Sequence, residues 1–182
     1  MAVPATFTSA DFSGKFTQNS SLSDSMDTIL EHQGVGWVKR KAIHAISVAL
    51  SLRHYKDSAG VEHIEVSRTI KGSSSEKAEE RILDWKDTRN NDGMLGPVTG
   101  RARRIQVSEL EVNYLKQGWT TDTVQHGVVQ MYTHSDKPWT AIQCWGVEEI
   151  KGERRYTRRV KFTGPKGQEV EARMVYDYLG PL

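Results

Sequence analysis

The hydrophobic period of the sequence changes at Ala45. Before this residue, the apolar side chains of one segment recur three or four residues apart, at Leu22, Met26, Ile29 and Leu30. From residue 46 to residue 53, larger apolar residues alternate with small or polar ones. A spacing near 3.6 residues is typical of a helix, whereas a period of two is typical of a strand with one buried face. The sequence therefore predicts helical structure followed by β structure.

Many short strands are predicted after this change. The alternation recurs in at least eight segments, separated by turn signals at 56–60, 72–75, 90–93 and 164–167. A first strand is predicted over 12–18, and two helices over 22–30 and 37–45. Short strands at this spacing predict a mainly β fold, either a sandwich or a closed antiparallel barrel. We expect a flexible lead-in over 1–10 and a single domain over 11–182.

One short helix interrupts the predicted strands. Ser108 and Glu111 have the spacing of a capping box, in which the two side chains bond to the backbone at a helix start. Leu110, Tyr114 and Leu115 would share one face of this helix. Gly118 would end it.

Charge and cysteine content exclude several classes of protein. The sequence has 25 Lys and Arg against 23 Asp and Glu, so its net charge of +2 does not indicate a nucleic-acid-binding protein. No apolar run is long enough for a transmembrane helix, and no secretion signal begins the sequence. The single cysteine, Cys144, excludes an internal disulfide. We therefore expect a cytoplasmic protein without stable membrane insertion and without a nucleic-acid partner, and no oligomeric state is predicted.

Two short motifs flank the first predicted helix. Phe12 and Gly14 form a Phe-x-Gly motif before it, and Gly34-Val35-Gly36 is followed by Arg40-Lys41 after it. This order resembles the N-terminus of the fatty-acid-binding proteins, the intracellular lipid-binding branch of the calycin superfamily. The motifs cover about 11–55, and strand count extends the resemblance to the rest of the chain. The resemblance implies a closed, ten-stranded, lipocalin-like β-clam with a two-helix lid, here a divergent and enlarged member.

The last predicted strand departs from the family pattern. Many fatty-acid-binding proteins hold a carboxylate with an Arg-x-Tyr pair on this strand. Tyr176 matches the tyrosine, but Met174 stands in place of the arginine, and Arg173 would face the other side of the sheet. We therefore expect a small hydrophobic ligand that is neutral or differently shaped, rather than a fatty-acid carboxylate.

Alternate residues of a barrel strand point inward, which defines a candidate ligand site. Arg158 is the sharpest member, because a buried guanidinium needs an anion or an aromatic face beside it. The predicted ligand-binding residues are Tyr176, Tyr178, Met174, Arg158, Gln143, Trp145, His54, Leu52 and Phe162.

Metal, heme, thiol and phosphate chemistry are weakly indicated. His54 and His63 could meet across a hairpin without a firm third ligand, and no histidine follows His134, where heme-binding calycins use a late one. We predict no metal and no cofactor. Cys144 is interpreted as a small buried apolar residue. The basic segment 154–161 is interpreted as a solvated, salt-bridged exterior rather than a phosphate stripe.

Two functions remain open. The first is a carrier that encloses a small, lipid-like or secondary-metabolite-like molecule. The alternative is a cofactor-independent cyclase or isomerase that folds a hydrophobic polyketide-like or terpenoid-like substrate in the same cavity. In that enzyme, hydrogen bonds or proton transfer would come from Tyr176, Tyr178, His54, Arg158 and Gln143.

Overall fold

Ten antiparallel strands form one curled sheet. The computed structural model describes residues 1–45, 48–70 and 76–182. The strands are β1 (Gly14–Gln18), β2 (Val48–Lys56), β3 (Glu62–Ile70), β4 (Glu76–Ile82), β5 (Thr88–Asp92), β6 (Gly96–Ile105), β7 (Val128–Ser135), β8 (Thr140–Ile150), β9 (Glu153–Thr163) and β10 (Glu169–Gly180). The prediction of a mainly β, ten-stranded antiparallel fold is confirmed. The predicted turn at 72–75 and the first two residues of the predicted strand at 46–53 lie outside the described residues.

The sheet does not close into a complete barrel. Strands follow one another in the order β4-β3-β2-β1-β10-β9-β8-β7-β6-β5, and the sheet curls through 328°. Beyond β4, the chain makes one bridge to β6, between Asp84 and Arg103, and Trp85 N donates to Ala102 O at 2.8 Å. Trp85 then adopts a left-handed backbone with φ of 60°, which redirects the chain. The predicted closure is therefore not confirmed, and a seam remains between β4 and β6.

Two helices follow β1. Helix α1 (Asp27–His32) begins five residues later than predicted, and α2 (Trp37–Ala45) has the predicted bounds. The chain before α1 is held by β10 instead, because Ser23 Oγ accepts a hydrogen bond from Val175 N at 2.9 Å. Helix α1 buries Ile29 and Leu30. No helix in the described ranges has the length and apolar character needed to cross a membrane.

Aromatic side chains fill much of the concave side of the sheet. The largest buried members of this inner core include Phe12, Phe16, Trp145, Tyr156 and Phe162. Residues 1–10, for which the sequence predicts a flexible lead-in, contribute Val3 and Phe7 to the same core. Val3 N also donates to Arg154 O at 2.9 Å. The inner space is therefore narrower than an empty barrel of ten strands would be.

A helical insertion covers part of the outer face. It contains a short 3-10 helix (Val107–Glu109), α3 (Asn113–Lys116) and α4 (Thr121–His126), where the sequence predicts one helix. The capping box uses Gln106 and Glu109 rather than Ser108 and Glu111, because Gln106 rather than Ser108 is the N-terminal cap residue. A second core joins the insertion to the sheet through Ile105, Val107, Leu110, Leu115, Val128 and Cys144.

Gly146 on β8 allows the insertion to approach the sheet. A Cβ atom at this position would lie 2.7 Å from Trp119 Cε3 and 2.8 Å from Thr123 Cγ2. We expect Gly146→Ala to cost about 2 kcal/mol through overpacking. Thermal unfolding should show a Tm lower by about 6 °C. Gly100→Ala is the matched control, since a Cβ there meets its nearest atoms at 3.6 Å. Equal Tm values for the two variants would contradict this packing.

Candidate functional site

The guanidinium of Arg158 lies against aromatic rings inside the curled sheet. Arg158 is on β9, directly opposite Trp145 on β8 and Met174 on β10. Its Cζ atom is 4.0 Å from the Trp145 ring centroid and 5.1 Å from that of Tyr176. Its Nε donates to Tyr156 Oη at 2.7 Å. Cation–π contacts of this kind stabilise a buried charge and leave the remaining N–H groups free to donate.

Arg158 keeps unused hydrogen-bonding capacity although it is only 8% exposed. No hydrogen-bond partner for its Nη2 and no ion pair with a carboxylate occur in the described parts of the chain. Burial acts to lower the pKa of Arg158, but its interactions with Tyr156 and Tyr176 raise the pKa above the usual value. The group therefore stays protonated. A buried cation with an unused donor is suited to polarise an oxygen atom of a bound molecule.

A second group of charges lies on the same concave side. Glu79 and Arg81 on β4 stand opposite Val66 and Ile64 on β3, whose side chains belong to the inner core. Residues directly opposite in a sheet share a face, so Glu79 and Arg81 point inward. The Glu79 carboxylate accepts hydrogen bonds from both Arg68 and Arg81. Burial acts to raise the pKa of Glu79, but Arg68 and Arg81 hold it below its usual value.

A cleft opens at the seam between β4 and β6. Its volume is about 80 Å³, which is room for only part of a drug-sized molecule. A bound substrate would therefore have to extend past the cleft toward Arg158. The inward-facing residues that line the cleft are Arg81, Val98, Gly100, Ala102, Met131 and Thr133.

The structure brings part of the predicted ligand site together around Arg158. Trp145, Met174 and Tyr176 surround the guanidinium, and Gln143 Oε1 accepts a hydrogen bond from Trp145 Nε1. Tyr176 Oη also donates weakly to Met174 Sδ at 3.7 Å. These four residues and Arg158 form the candidate site.

The other predicted residues lie elsewhere in the interior. Phe162 lies near Trp139, with ring centroids 5.9 Å apart, and its ring also faces His32 of α1. Leu52 is fully buried opposite Gly14, and Tyr178 packs on Phe16. Their positions predict contact with the apolar part of a ligand rather than with its reacting atoms.

His54 is tied to structural partners. Its Nδ1 accepts a hydrogen bond from Phe12 N at 3.2 Å, and its Nε2 lies 3.4 Å from Glu62. Burial acts to raise the pKa of Glu62, but His54 and Arg104 lower the pKa to about 2. This arrangement does not bring His54 to Arg158. Among the described residues, no group of His, Cys, Asp and Glu is arranged to hold a metal ion.

The sequence analysis missed Arg68, Glu79 and Arg81. Within β4, the apolar residues Ala78 and Ile82 alternate with Glu79 and Arg81. This pattern suggests that the apolar residues face inward and the charged ones outward, yet Ile82 is 39% exposed. The usable signal lies on β3, where Ile64, Val66 and Arg68 continue one inward face. The register of β3 with β4 then brings Glu79 and Arg81 inward.

Apart from Arg158, the basic segment is salt-bridged as expected, but Arg155 and Arg159 are buried rather than solvated, with 8% exposure each. Arg159 Nε donates to Glu148 Oε1 at 2.8 Å, and its guanidinium lies 4.8 Å from the Tyr114 ring of the insertion. The insertion therefore excludes water from Arg159, for which the sequence predicts a solvated position. Cys144 is fully buried nearby, and burial raises its pKa to about 12, so it is not a nucleophile at neutral pH.

Phe7 occupies inner space next to the candidate site. Its ring centroid lies 5.6 Å from that of Phe16 and 6.4 Å from that of Tyr156. We expect Phe7→Leu to cost about 1.5 kcal/mol, because the smaller side chain leaves part of this volume unfilled. The Tm should fall by about 4 °C. Val124→Ala, at an exposed position of α4, should leave the Tm nearly unchanged. A Tm of Phe7→Leu equal to that of the control would contradict the packing of the lead-in.

Comparison with solved structures identifies proteins of similar fold. The fatty-acid-binding protein of Schistosoma mansoni in complex with arachidonic acid superposes with a TM-score of 0.57, covering 92% of this chain and 96% of that one at 12% identity. The brain fatty-acid-binding protein of Drosophila melanogaster gives a TM-score of 0.53 over 91% and 98% of the chains at 17% identity. These values show a shared fold, but the predicted membership of the fatty-acid-binding protein family is not supported.

Comparison of sequences identifies relatives with a different activity. No protein-family model matches the chain. It is 30% identical to the probable pericyclase scpY of Mollisia scopiformis, over 99% of this chain and 96% of that protein. It is 31% identical to the pericyclase pydY of Acremonium sp., over 100% and 98% of the two chains. The chain therefore belongs to the family of these pericyclases.

Proposed function

We propose that this protein is a cofactor-independent pericyclase that closes a ring in a hydrophobic, polyene-like substrate inside the curled sheet. Full-length similarity to two pericyclases supports the reaction class. In a pericyclic ring closure, π electrons become σ bonds through one cyclic transition state, and no atom enters or leaves. Such a reaction needs a folded substrate and a favourable electrostatic environment rather than a nucleophile, which agrees with the inertness of Cys144.

The unused Nη2 of Arg158 carries the mechanistic part of the proposal. A hydrogen bond from this protonated group to a substrate carbonyl withdraws electrons from an adjacent alkene and makes it a better partner for a diene. The aromatic rings of Trp145 and Tyr176 hold the cation in place before substrate arrives, so little reorganisation is needed during reaction. Aromatic and apolar walls would fold the chain of the substrate into a reactive shape.

A ring-closure assay tests this function. Linear trienes that end in an α,β-unsaturated ketone or amide are incubated with and without purified protein. Chromatography with mass spectrometry measures the first-order rate of cyclisation and the ratio of stereoisomers. We expect a faster reaction and one dominant stereoisomer with the protein. Tryptophan fluorescence shows whether the protein is saturated with the triene. If saturated protein gives only the uncatalysed rate and isomer ratio, the proposal is contradicted.

A carrier is the second candidate, because the fold is that of fatty-acid-binding proteins. The same assay separates the two functions. A carrier binds the triene and leaves the cyclisation rate unchanged, whereas a pericyclase lowers the barrier of the reaction.

A further inference from the structure

We propose that the substrate carries an acidic oxygen group, a carboxylate or the enolate of a 1,3-dicarbonyl, and that this group binds between Arg81 and Arg158 behind the seam. That the bound molecule is a substrate rests on the proposed function, whereas the anion site itself is argued from two buried donors without hydrogen-bond partners among the described residues.

Charge on this inner wall is not balanced by the protein. Three guanidiniums, those of Arg68, Arg81 and Arg158, face one carboxylate, that of Glu79. In the part of the chain that the structure describes, ion pairs join Glu79 to Arg68 and Arg81, and none reaches Arg158. Arg68 and Arg81 are partly exposed, whereas Arg158 is buried. Buried charges are normally paired or hydrogen-bonded, so the uncompensated charge of Arg158 indicates an anion supplied from outside.

Two donors on this wall are unused. Arg158 Nη2 and Arg81 Nε are both buried and have no hydrogen-bond partner among the described residues. Arg158 is more than nine-tenths buried, so solvent does not replace the missing acceptor. Two oxygens of one acidic group can accept from two separate guanidiniums. A neutral amide or ester offers one carbonyl acceptor and no charge.

The two arginines also affect each other. Burial lowers the pKa of Arg81, and although Glu79 opposes this effect, the positive charges of Arg68 and Arg158 lower the pKa further. An anion between Arg81 and Arg158 would remove this repulsion and gain attraction from both charges.

The site differs in place from the carboxylate site of the fatty-acid-binding proteins that the sequence resembles. Met174 occupies the last-strand position where many of those proteins carry arginine, and Arg158 stands directly opposite it on β9. Arg81 lies on β4, at the wall of the seam cleft. An acidic group entering between β4 and β6 would pass Met131 and Ala102 and meet Arg81 first.

A matched pair of fluorescent polyenes tests the inference. Parinaric acid and its neutral primary amide share one hydrocarbon chain, and fluorescence titration gives the Kd of each at neutral pH. We expect the protein to bind the acid at least about tenfold more tightly than the amide. Arg81→Met should remove most of this preference, while the Kd of the amide changes little. Arg158→Met should also remove the preference, and it should weaken the binding of both probes because Arg158 donates to a carbonyl as well. Arg53→Met, an exposed arginine on β2, is the matched control and should retain the preference.

Three results would overturn the inference: equal affinity for acid and amide, a preference that survives Arg81→Met, or no binding of either probe. A preference that disappears in about 0.5 M NaCl would also overturn it, because salt screens exposed cations far more than buried ones. Circular dichroism confirms that each variant is folded, and Arg81→Met, the less buried change, decides the result if Arg158→Met does not fold. Acid preference without ring closure would reject the pericyclase and keep the anion site, whereas ring closure without acid preference would do the reverse.

Discussion

Replacing Arg158 with methionine is expected to slow protein-dependent ring closure by about 100-fold, because the change removes the charged donor that we assign to the substrate carbonyl. Methionine keeps an unbranched apolar stem at this position and lacks the guanidinium that lies over Trp145. The first-order rate constant of cyclisation at saturating triene measures the effect.

The same variant should not lose stability. Replacing a buried charge by an apolar side chain of similar size is often neutral or stabilising, because the desolvation cost disappears. We therefore expect a Tm equal to or above that of the unmodified protein. Arg53→Met, on the exterior, should change neither the rate nor the Tm appreciably. A normal rate for Arg158→Met would remove Arg158 from the reaction.

Replacing Glu148 with glutamine is expected to be the most destabilising single change considered. The Glu148 side chain is 2% exposed and accepts hydrogen bonds from Thr157, Arg159 and Arg173. Losing its charge leaves two guanidiniums without compensation beneath the insertion. Breaking a buried ion pair in this way costs about 3–5 kcal/mol. Thermal unfolding should show a Tm lower by about 10 °C.

Glu149→Gln is the matched control, because Glu149 is the next residue of β8 and is exposed. Its Tm should stay close to that of the unmodified protein. If both variants unfold at the same temperature, the network of Glu148 does not hold the insertion to the sheet.

The strands were predictable, but the closure of the sheet was not. Alternation in segments such as β2, with Leu50 and Leu52 inward, reports which face of a strand is buried, and this pattern is local. Closure depends on whether β4 reaches β6, and the chain leaves this seam at Trp85, whose left-handed backbone no alternation pattern reports. The burial of Val3 and Phe7 was not predictable for a related reason, since these two residues are too widely spaced to form a periodic signal.

The candidate site was predictable on β8, β9 and β10 but not on β4. Arg158 stands out in sequence because it alternates with Tyr156, Val160 and Phe162 on a strand whose inward face is otherwise apolar. Arg81 sits on a strand whose apolar residues point outward, so a sequence pattern alone assigns it to solvent. The packing of the insertion on the outer face of β8 and β9, with Gly146 beneath Trp119, is likewise a tertiary contact that local sequence does not encode.

The helical insertion gives the molecule an uneven stiffness. On one side, β8 carries packed cores on both faces, and the outer face of β9 is bound to the insertion through Arg159, so bending these strands would disturb two layers of side chains at once. On the other side, the described residues make a single bridge across the seam, from Asp84 just after β4 to Arg103 of β6, so separating these strands breaks few hydrogen bonds. Expansion to admit a bulky ligand would therefore separate β4 from β6. The wall formed by β8 and β9, which presents Arg158, would keep its position.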